Sequence, residues 1–346
     1  MYLLDNKDII TYTSNFNYAT NFFGDSLFSK QKTANFQVAM RKLAKNGNLP
    51  VMARFHALDT EARIGDRTNY REINVEKLLI KEKLNQTESI ERMLQGASAD
   101  KRQILDFIYD DMGNLLSRVL TRVELANMQL LSTGQIKIDE NDYKYTVDFG
   151  FDSSSNKLDV TGWNDPTHDI LGDIETIKKK AKANGNRVIT MAITSDKVLN
   201  YLFINNAIKG YFEKGVSTEL YTTDWVVRWL ERQTGILFAT NEDVYKLNAN
   251  DTATHRFYPE NSISWLAIPR NTAFGVDLYG MTPEELKLKE ISTSLINEGL
   301  LTITQWETPD PVATWTKASG IVIPIPQDID NLFLTKVTET DIDGGE

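Results

Sequence analysis

The chain has 346 residues, with 38 Lys plus Arg against 48 Asp plus Glu and a formal net charge of -10. This length predicts about two domains, and 41% hydrophobic with 25% charged residues is typical of a globular protein. A surface that grips nucleic acid needs clustered basic residues, so the acidic balance argues against that class, although not against a protein that encloses nucleic acid. The lack of cysteine excludes disulfide scaffolds, thiolate nucleophiles and cysteine zinc sites.

The first residues, 1–8, carry neither a basic segment nor a long apolar one, so no signal peptide is predicted. No apolar run approaches the ~20 residues that a membrane span needs. We therefore expect a protein that is made in the cytosol, stays soluble there and has no membrane partner.

The N-terminal part is aromatic and has no helical period: its aromatic residues include Phe16, Tyr18, Phe22, Phe23, Phe28 and Phe36. The pattern predicts short extended segments. Two interpretations stay open, namely an arm laid over another surface and an edge strand of a local core.

Residues 69–86 carry charges on both faces of a hypothetical strand. One face would hold Arg71, Lys77 and Lys81, and the other Glu72, Glu76 and Glu82. A strand with one face buried in its own domain does not show this pattern, so an exposed segment is expected. The apolar run Leu78, Leu79 and Ile80 could instead begin a short helix.

Residues 98–131 give the strongest helical signal, because apolar residues recur there at three- and four-residue steps. These residues are Ile104, Ile108, Met112, Leu115, Val119, Val123, Ala126 and Leu130. Ser98 and Asp100 are candidate N-caps, Gly113 and Asn114 mark a candidate bend, and Gly134 is a candidate stop. Such a helix would be roughly 45–50 Å long.

After this helix, the periodicity predicts alternating strands and helices. First come a strand over 143–151 and a helix capped by Asp165 and Pro166, whose inward residues are Ile170, Ile174 and Ile177. A strand over 187–193 and a helix capped by Ser195 follow. The last of these elements is a helix over 223–234 that Gly235 stops.

The later part is predicted to be β-rich, with strands over 236–239, 243–247, 263–268, 300–306, 313–316, 321–325 and 332–337. The order of elements indicates an α+β fold in which the final strands pack near the long helix.

No catalytic or cofactor motif is present. The sequence lacks both glycine-rich phosphate loops and the G-x-S-x-G elbow, and His56, His168 and His255 lie far apart. A Ser–His–Asp triad needs no fixed order or spacing, so that alternative stays open. Asp341 to Gly344 resembles the start of a calcium loop without the remaining ligands. We predict no catalytic, cofactor-binding or metal-ligating residue and no cofactor.

Three stretches resemble the tailed-phage major capsid protein family that includes the lambda-type head protein, the major capsid protein E family. Residues 22–38 resemble its N-terminal arm, with the double aromatic Phe22 and Phe23. Residues 256–263, 273–275 and 278–280 resemble its F-L-P-D-N segment with the downstream glycine and Tyr-Gly. Residues 304–311 resemble its Trp and Asp-Pro turn, and the run 323–330 follows. The resemblance covers residues 15–337.

This resemblance implies the Hong Kong 97-like phage capsid fold, an α+β fold with an N-terminal arm, an extended loop, a long spine helix in a peripheral domain and an axial α/β domain. The implied boundaries are 1–46 for the arm, 47–86 for the extended loop, 87–161 for the peripheral domain with the spine at 98–131, 162–285 for the axial domain, 286–338 for the return to the peripheral domain and 339–346 for an acidic tail. The sequence departs from the family in the loop, where 75–84 is rich in Lys, Leu and Glu instead of proline and glycine.

The resemblance also implies a function. The chain would be a major capsid protein that self-assembles as pentamers and hexamers into an icosahedral shell around double-stranded DNA, without sequence-specific DNA binding. Partners would be further copies of itself, a scaffold protein, a portal and a decoration protein. It would be assembled in the host cytoplasm, reside in the virion and not be an enzyme. The alternatives are a cytosolic α/β enzyme with a dispersed site and another self-assembling shell or tail protein.

Overall fold

A computed structural model describes residues 22–43, 49, 52, 69–87, 101–140, 143–214, 220–287, 292–296, 299–310 and 312–340. Several sequence-based predictions lie outside these residues: the aromatic residues Phe16 and Tyr18, the candidate caps Ser98 and Asp100, His56, and the segment 341–346.

The helices in the described residues are α1 Lys101–Thr133, α2 Ser153–Asn156, α3 Ile170–Ala183, α4 Asp196–Ile204, α5 Asn206–Lys214 and α6 Thr223–Thr234, with 3-10 turns at Phe23–Ser26, Glu285–Lys287 and Ile329–Asn331. The strands are β1 Phe28–Lys32, β2 Gln37–Leu43, β3 Tyr70–Glu76, β4 Leu78–Thr87, β5 Gln135–Glu140, β6 Tyr143–Asp148, β7 Val160–Thr161, β8 Met191–Thr194, β9 Leu237–Thr240, β10 Val244–Tyr245, β11 His255–Arg256, β12 Ser262–Leu266, β13 Gly275–Tyr279, β14 Ser292–Ile296, β15 Leu301–Pro309, β16 Val312–Pro326 and β17 Leu332–Thr338.

The strands form two larger sheets. One has six strands in the order β1-β13-β16-β15-β14, with β4 paired to β16, and the other has five in the order β7-β17-β12-β8-β9. Two-stranded sheets pair β2 with β3, β5 with β6, and β10 with β11. In the six-stranded sheet, β1 runs parallel to β13, whereas β14–β15, β15–β16 and β16–β4 are antiparallel pairs.

The chain divides into two compact units. Unit 1 comprises Met1–Val38, Val75–Asn127 and Gly275–Ile325, and unit 2 comprises Ala39–Asn74, Met128–Phe274 and Pro326–Glu346. Each unit is therefore assembled from three separate segments of the sequence.

In unit 1 the long helix α1 packs against the six-stranded sheet. The predicted inward residues Met112, Leu115, Val119 and Val123 are buried, and they form a cluster with Tyr279, Leu300, Leu301, Ile303, Ala318 and Val322. Burying one such side chain fully contributes about 1.5–3 kcal/mol. The shared cluster confirms the prediction that late strands of the chain pack against the long helix.

Unit 2 holds the five-stranded sheet with α3, α4 and α6 packed on it. The predicted inward residues Ile170, Ile174 and Ile177 of α3 are buried in its core with Trp163, Trp265 and Phe333. The cap at Ser195 is confirmed, because its side chain accepts a hydrogen bond from the Val198 N–H. Helix α6 ends at Gly235, whose positive φ of 77° favours glycine, as the sequence predicts.

Several predicted boundaries were wrong. Helix α3 begins at Ile170 with Asp169 as its N-cap, because the Asp165 carboxylate instead accepts the N–H of Thr167 in a preceding turn. The predicted strands over 313–316 and 321–325 are one continuous strand, β16. Helix α5 and strand β5 were not predicted.

The prediction for residues 69–86 was wrong in its second half. Leu78, Leu79 and Ile80 begin strand β4 and not a helix, and β4 pairs along β16. Ile80 and Leu84 pack against the buried cluster under α1. The strand therefore has a face in its own unit's core.

Two predicted domain limits also differ from the topology. Strand β17 lies beside β12 in the sheet of unit 2, so 332–338 does not return to the sheet that covers the long helix. Strand β13 lies in the six-stranded sheet of unit 1, so that strand of the predicted axial domain belongs with the helix. The remaining boundaries stay a prediction.

Candidate functional site

The sheet of β2 and β3 carries charged side chains on its surface. In β3 only Val75 is buried, and Tyr70 at its start is exposed. The Arg41 guanidinium lies 4.9 Å from the centre of the Tyr70 ring, and Gln37 Nε2 donates to Glu76 Oε1 at 2.8 Å. Because aromatic and Arg side chains are enriched in protein interfaces, this sheet is a candidate contact surface.

A second candidate contact surface in unit 2 is formed by side chains of α4, α5 and α6 and of the segment just before α6. Its residues, here called the aromatic surface, are Phe203, Tyr211, Phe212, Tyr221, Trp225 and Trp229, whose rings form a connected series with centroids 4.6–6.0 Å apart. Trp225 and Trp229 are one helical turn apart and share a face. Tyr211 is 57% exposed and the nearby Leu220 is 81% exposed. The other five rings are half-buried, so the part of this surface that is open to a partner is centred on Tyr211. Accessible apolar surface of this kind marks candidate interaction sites.

A buried carboxylate ties β4 to β16 in unit 1. Glu284 Oε1 lies 2.6 Å from Lys317 Nζ and 3.0 Å from Lys81 Nζ. Burial raises the pKa of Glu284, but the hydrogen bonds from Lys317 and Lys81 outweigh it and lower the pKa to about 2. Lys317 also makes a cation–aromatic contact, since its Nζ lies 5.5 Å from the centre of the Trp306 ring.

Lys77, between β3 and β4, is not a solvated lysine. Its side chain is 2% exposed, and its ammonium donates to the carbonyls of Thr33 and Tyr279 at 2.9 Å each. Burial lowers the pKa of Lys77. The expectation that residues 69–86 form an exposed segment was therefore wrong at Lys77, because the chain enters the core of unit 1 at this point.

Sequence patterns missed two buried carboxyl groups, Glu124 on α1 and Asp277 on β13. The Gly24 N–H donates to both carboxylate oxygens of Glu124, at 3.0 and 3.2 Å. Asp277 Oδ2 accepts from Asn127 Nδ2 at 3.4 Å. The sequence offered one signal for a buried carboxyl group, namely that Glu124 directly follows Val123, a residue of the apolar stripe of the long helix.

The described histidines are held by structural contacts. His168 Nε2 lies 2.8 Å from Asp173 Oδ2, which also accepts from the indole N–H of Trp163 at 2.8 Å. The His255 ring lies 5.5 Å from that of Tyr245. No serine or threonine hydroxyl is hydrogen-bonded to either imidazole among the contacts of the described residues, so these contacts assemble no triad there.

Within the described ranges, no group of three or more His, Cys, Asp or Glu residues is placed to hold a metal ion. Among the helices described there, none combines the length and the apolar character that crossing a membrane requires. The expectation that the chain has no catalytic, cofactor or metal residue stays a prediction.

Comparison with known proteins places the chain among viral shell proteins. Residues 6–337 match the family model described as phage major capsid protein E. The chain belongs to the phage major capsid protein E family. No curated protein matches it.

Solved structures show the fold of this capsid protein. A protein described as a candidate capsid protein of a prophage of E. coli CFT073 is 15% identical, with a TM-score of 0.62 over 97% of this chain and 99% of the other. A phage-related protein from Bordetella bronchiseptica RB50 is 13% identical, with a TM-score of 0.57 over 94% of this chain and 95% of the other. The capsid protein has the α+β Hong Kong 97-like phage capsid fold, as its sequence predicts.

Family membership makes the chain a shell-forming phage capsid protein, and its place is the virion capsid. The capsid protein therefore associates with copies of itself. The exposed sheet of β2 and β3 and the aromatic surface are accordingly candidate contacts between subunits.

Proposed function

We propose that this capsid protein builds the icosahedral head of a tailed phage as pentamers and hexamers that enclose double-stranded DNA. The observation that carries the proposal is the family match over residues 6–337, which spans both compact units. The long helix packed on a six-stranded sheet supports it, because this gives each subunit a rigid element of 33 residues.

The proposed mechanism is burial of surface between subunits and not catalysis. Each contact must be weak enough for a misplaced subunit to leave, while many contacts together hold the packaged DNA. Buried area divided over many modest interfaces meets both requirements, because affinity depends on the quality of a contact more than on its area. The exposed charges of β3 would select register and partner, and the rings of the aromatic surface would supply apolar area.

The net charge of -10 fits a container for DNA. An acidic inner wall repels phosphate groups, so the enclosed DNA stays mobile during packaging and ejection. The proposed partners are therefore further copies of the chain, a scaffold protein, a portal and a decoration protein, with DNA enclosed without sequence-specific binding. Assembly takes place in the host cytoplasm and involves no membrane, cofactor or enzymatic step.

The test is the size and shape of the purified protein. Analytical ultracentrifugation over a concentration range, followed by negative-stain electron microscopy, should show capsomers or closed particles. A monomer whose sedimentation does not depend on concentration, with or without a co-expressed scaffold protein, would contradict the proposal. Tubes or open sheets in place of closed particles would argue for a different self-assembling role.

A further inference from the structure

A cluster of buried polar side chains joins the N-terminal segment of unit 1 to the long helix. The cluster consists of Gly24, Glu124, Asn127 and Asp277, and its three side chains are almost fully buried. Gly24 belongs to the turn Phe23–Ser26 that leads into β1, whereas Glu124 and Asn127 lie on α1 and Asp277 lies on β13. The cluster therefore connects three elements that are distant in sequence.

Gly24 makes the closest approach. Its N–H is shared between the two carboxylate oxygens of Glu124. A Cβ atom at this position would overlap Glu124 Oε2 and lie 2.9 Å from Asn127 Nδ2. A larger residue at this position would have to displace the Glu124 side chain, so glycine lets the turn and this hydrogen bond coexist.

Asp277 is the least satisfied member. It is 1% exposed, its hydrogen bond from Asn127 is long at 3.4 Å, and neither Asp277 Oδ1 nor Asn127 Oδ1 has a hydrogen-bond partner among the described residues. A buried carboxylate with so few donors is costly, whereas a protonated carboxyl can donate its hydrogen to an amide oxygen such as Asn127 Oδ1. The geometry thus favours the neutral acid.

The charges that face Asp277 come from each neighbouring element. Lys30 is its partner in the β1–β13 register, but Lys30 Nζ is engaged with Asp25 Oδ1 at 2.7 Å. Asp25, in the turn before β1, is a second negative charge that raises the pKa of Asp277, and the neighbouring segment 321–326 of β16 has no titratable side chain. Burial raises the pKa of Asp277 to about 7, with the Asn127 hydrogen bond and Lys30 acting against it.

We propose that this cluster is a protonation-dependent clamp, in which neutral Asp277 lets the segment Phe23–Lys32 stay fixed to the long helix and ionised Asp277 loosens it. Ionisation places a second carboxylate in the same buried cluster as Glu124, with no new donor to receive it. Release of the turn and β1 exposes Asp277 to water, where a carboxylate is stable. The clamp thus controls how firmly the N-terminal part of the chain is held by its own subunit.

Thiol labelling of unassembled subunits tests the clamp, because the chain has no cysteine of its own. Leu27→Cys puts a single thiol at a buried position of the segment, and Ser26→Cys puts one at the exposed neighbour as a matched control. The ratio of the two labelling rates cancels the pH dependence of the thiol itself and reports opening of the segment. The ratio should rise roughly 30-fold between pH 5.5 and 8.5 and level off above about pH 7, because the opening equilibrium shifts about tenfold per pH unit below the pKa of the closed state.

Asp277→Asn supplies the decisive comparison. It keeps the shape of the side chain and removes its titration, so the ratio should stay low and constant with pH. A ratio that is constant in the unaltered background, or that rises equally in Asp277→Asn, would overturn the proposal.

Hydrogen exchange of the unaltered chain keeps the test independent of whether these variants fold. After correction for intrinsic exchange rates, amides of Phe23–Lys32 should lose protection as pH rises, while those of β12 in unit 2 should not. Equal loss in both segments would indicate global loosening and overturn the clamp.

Discussion

The guanidinium of Arg187 donates to Asp328 Oδ2 at 3.0 Å, which joins the segment between α3 and β8 to the turn before β17 within unit 2. Arg187 Nε also donates to Asn331 Oδ1 at 2.9 Å, and its NH1 donates to the carbonyl of Asn184 at 2.6 Å. The Arg187 side chain is 7% exposed. This one side chain therefore fixes two chain segments that are 141 residues apart.

Removal of Arg187 should destabilise unit 2 strongly. Arg187→Ala removes the ion pair and the hydrogen bonds of this side chain, and the Asp328 carboxylate that remains is 33% exposed, so water can solvate it. We expect a cost of about 1.5–3 kcal/mol, the value for hydrogen bonds to charged groups. Arg187→Lys keeps the charge but not the planar fork, so it should retain only part of the stability. Chemical denaturation of unassembled subunits measures both. Lys178→Ala serves as the control, because the Lys178–Glu175 pair is more exposed and its loss should cost at most about 1 kcal/mol.

Glu284→Gln should weaken unit 1 at neutral pH and have little effect in acid. The folded state lowers the pKa of Glu284 to about 2, so its stabilising effect is complete above the ordinary carboxyl pKa of 4.5 and is lost as pH falls from there towards 2. Loss of its charged hydrogen bonds to Lys81 and Lys317 should cost about 1.5–3 kcal/mol at pH 7. Denaturation of the two proteins at pH 7, 4 and 2.5 gives the comparison, and a difference that stayed constant over this range would refute the assignment.

Substitutions in β3 should impair shell formation and spare the stability of the subunit, whereas substitutions in β4 should lower the stability of the subunit. Exchanging the exposed charges of β3, as in Arg71→Glu with Glu72→Lys, should change subunit stability by less than about 0.5 kcal/mol and yet impair shell formation, if β3 contacts a neighbouring subunit. Ile80→Ala in β4 removes a side chain that packs on the core under α1, and it should lower the free energy of unfolding by about 2 kcal/mol, the lower end of the usual range, because Ile80 is only partly buried. Thermal melts measure subunit stability, and electron microscopy of the same preparations measures shell formation. Normal shells from the β3 variant would show that β3 does not contact a neighbouring subunit.

Single changes of His56, His168 and His255 to Gln should leave particle formation intact. In His168→Gln the Asp173 carboxylate still accepts from the Trp163 indole, so the expected loss is about 0.5–1.5 kcal/mol. Particle yield and melting temperature are the measurements. A histidine whose change left the fold and melting temperature unaltered but abolished a chemical activity would support the enzyme alternative.

Local signals predicted those elements that local interactions determine. Helix α6 lies at the predicted residues because Thr222 caps its start and Gly235 ends it, and both effects act within one turn. Strand β4 was misjudged because its charges are satisfied by distant residues. Glu82 is paired with Arg118 on α1 at 2.7 Å, and Lys81 with Glu284, and neither partner is visible from strand periodicity.

Sequence patterns also did not predict which polar groups are buried. In β13 the alternation of apolar residues would turn Val276 and Leu278 inward, yet Gly275, Asp277 and Tyr279 are the buried set. Strand β16 was predicted as two separate strands, over 313–316 and 321–325. Gly320 lies between them, and a Cβ atom there would lie 2.6 Å from Leu301 Cδ2, a long-range contact that strand periodicity does not show.

The division of each unit into three sequence segments bears on how a subunit is made. The chain passes from one unit to the other at residues 38, 74, 127, 274 and 325, so neither unit is complete until β16 and β17 have been synthesised. Domains that are contiguous in sequence can fold one after another as they leave the ribosome, but these two cannot. A chain arrested at residue 274 would lack β13, β14, β15 and β16 of one sheet and β17, which lies between β7 and β12, of the other. Because such fragments lack strands of both sheets, we expect only full-length subunits to enter the shell.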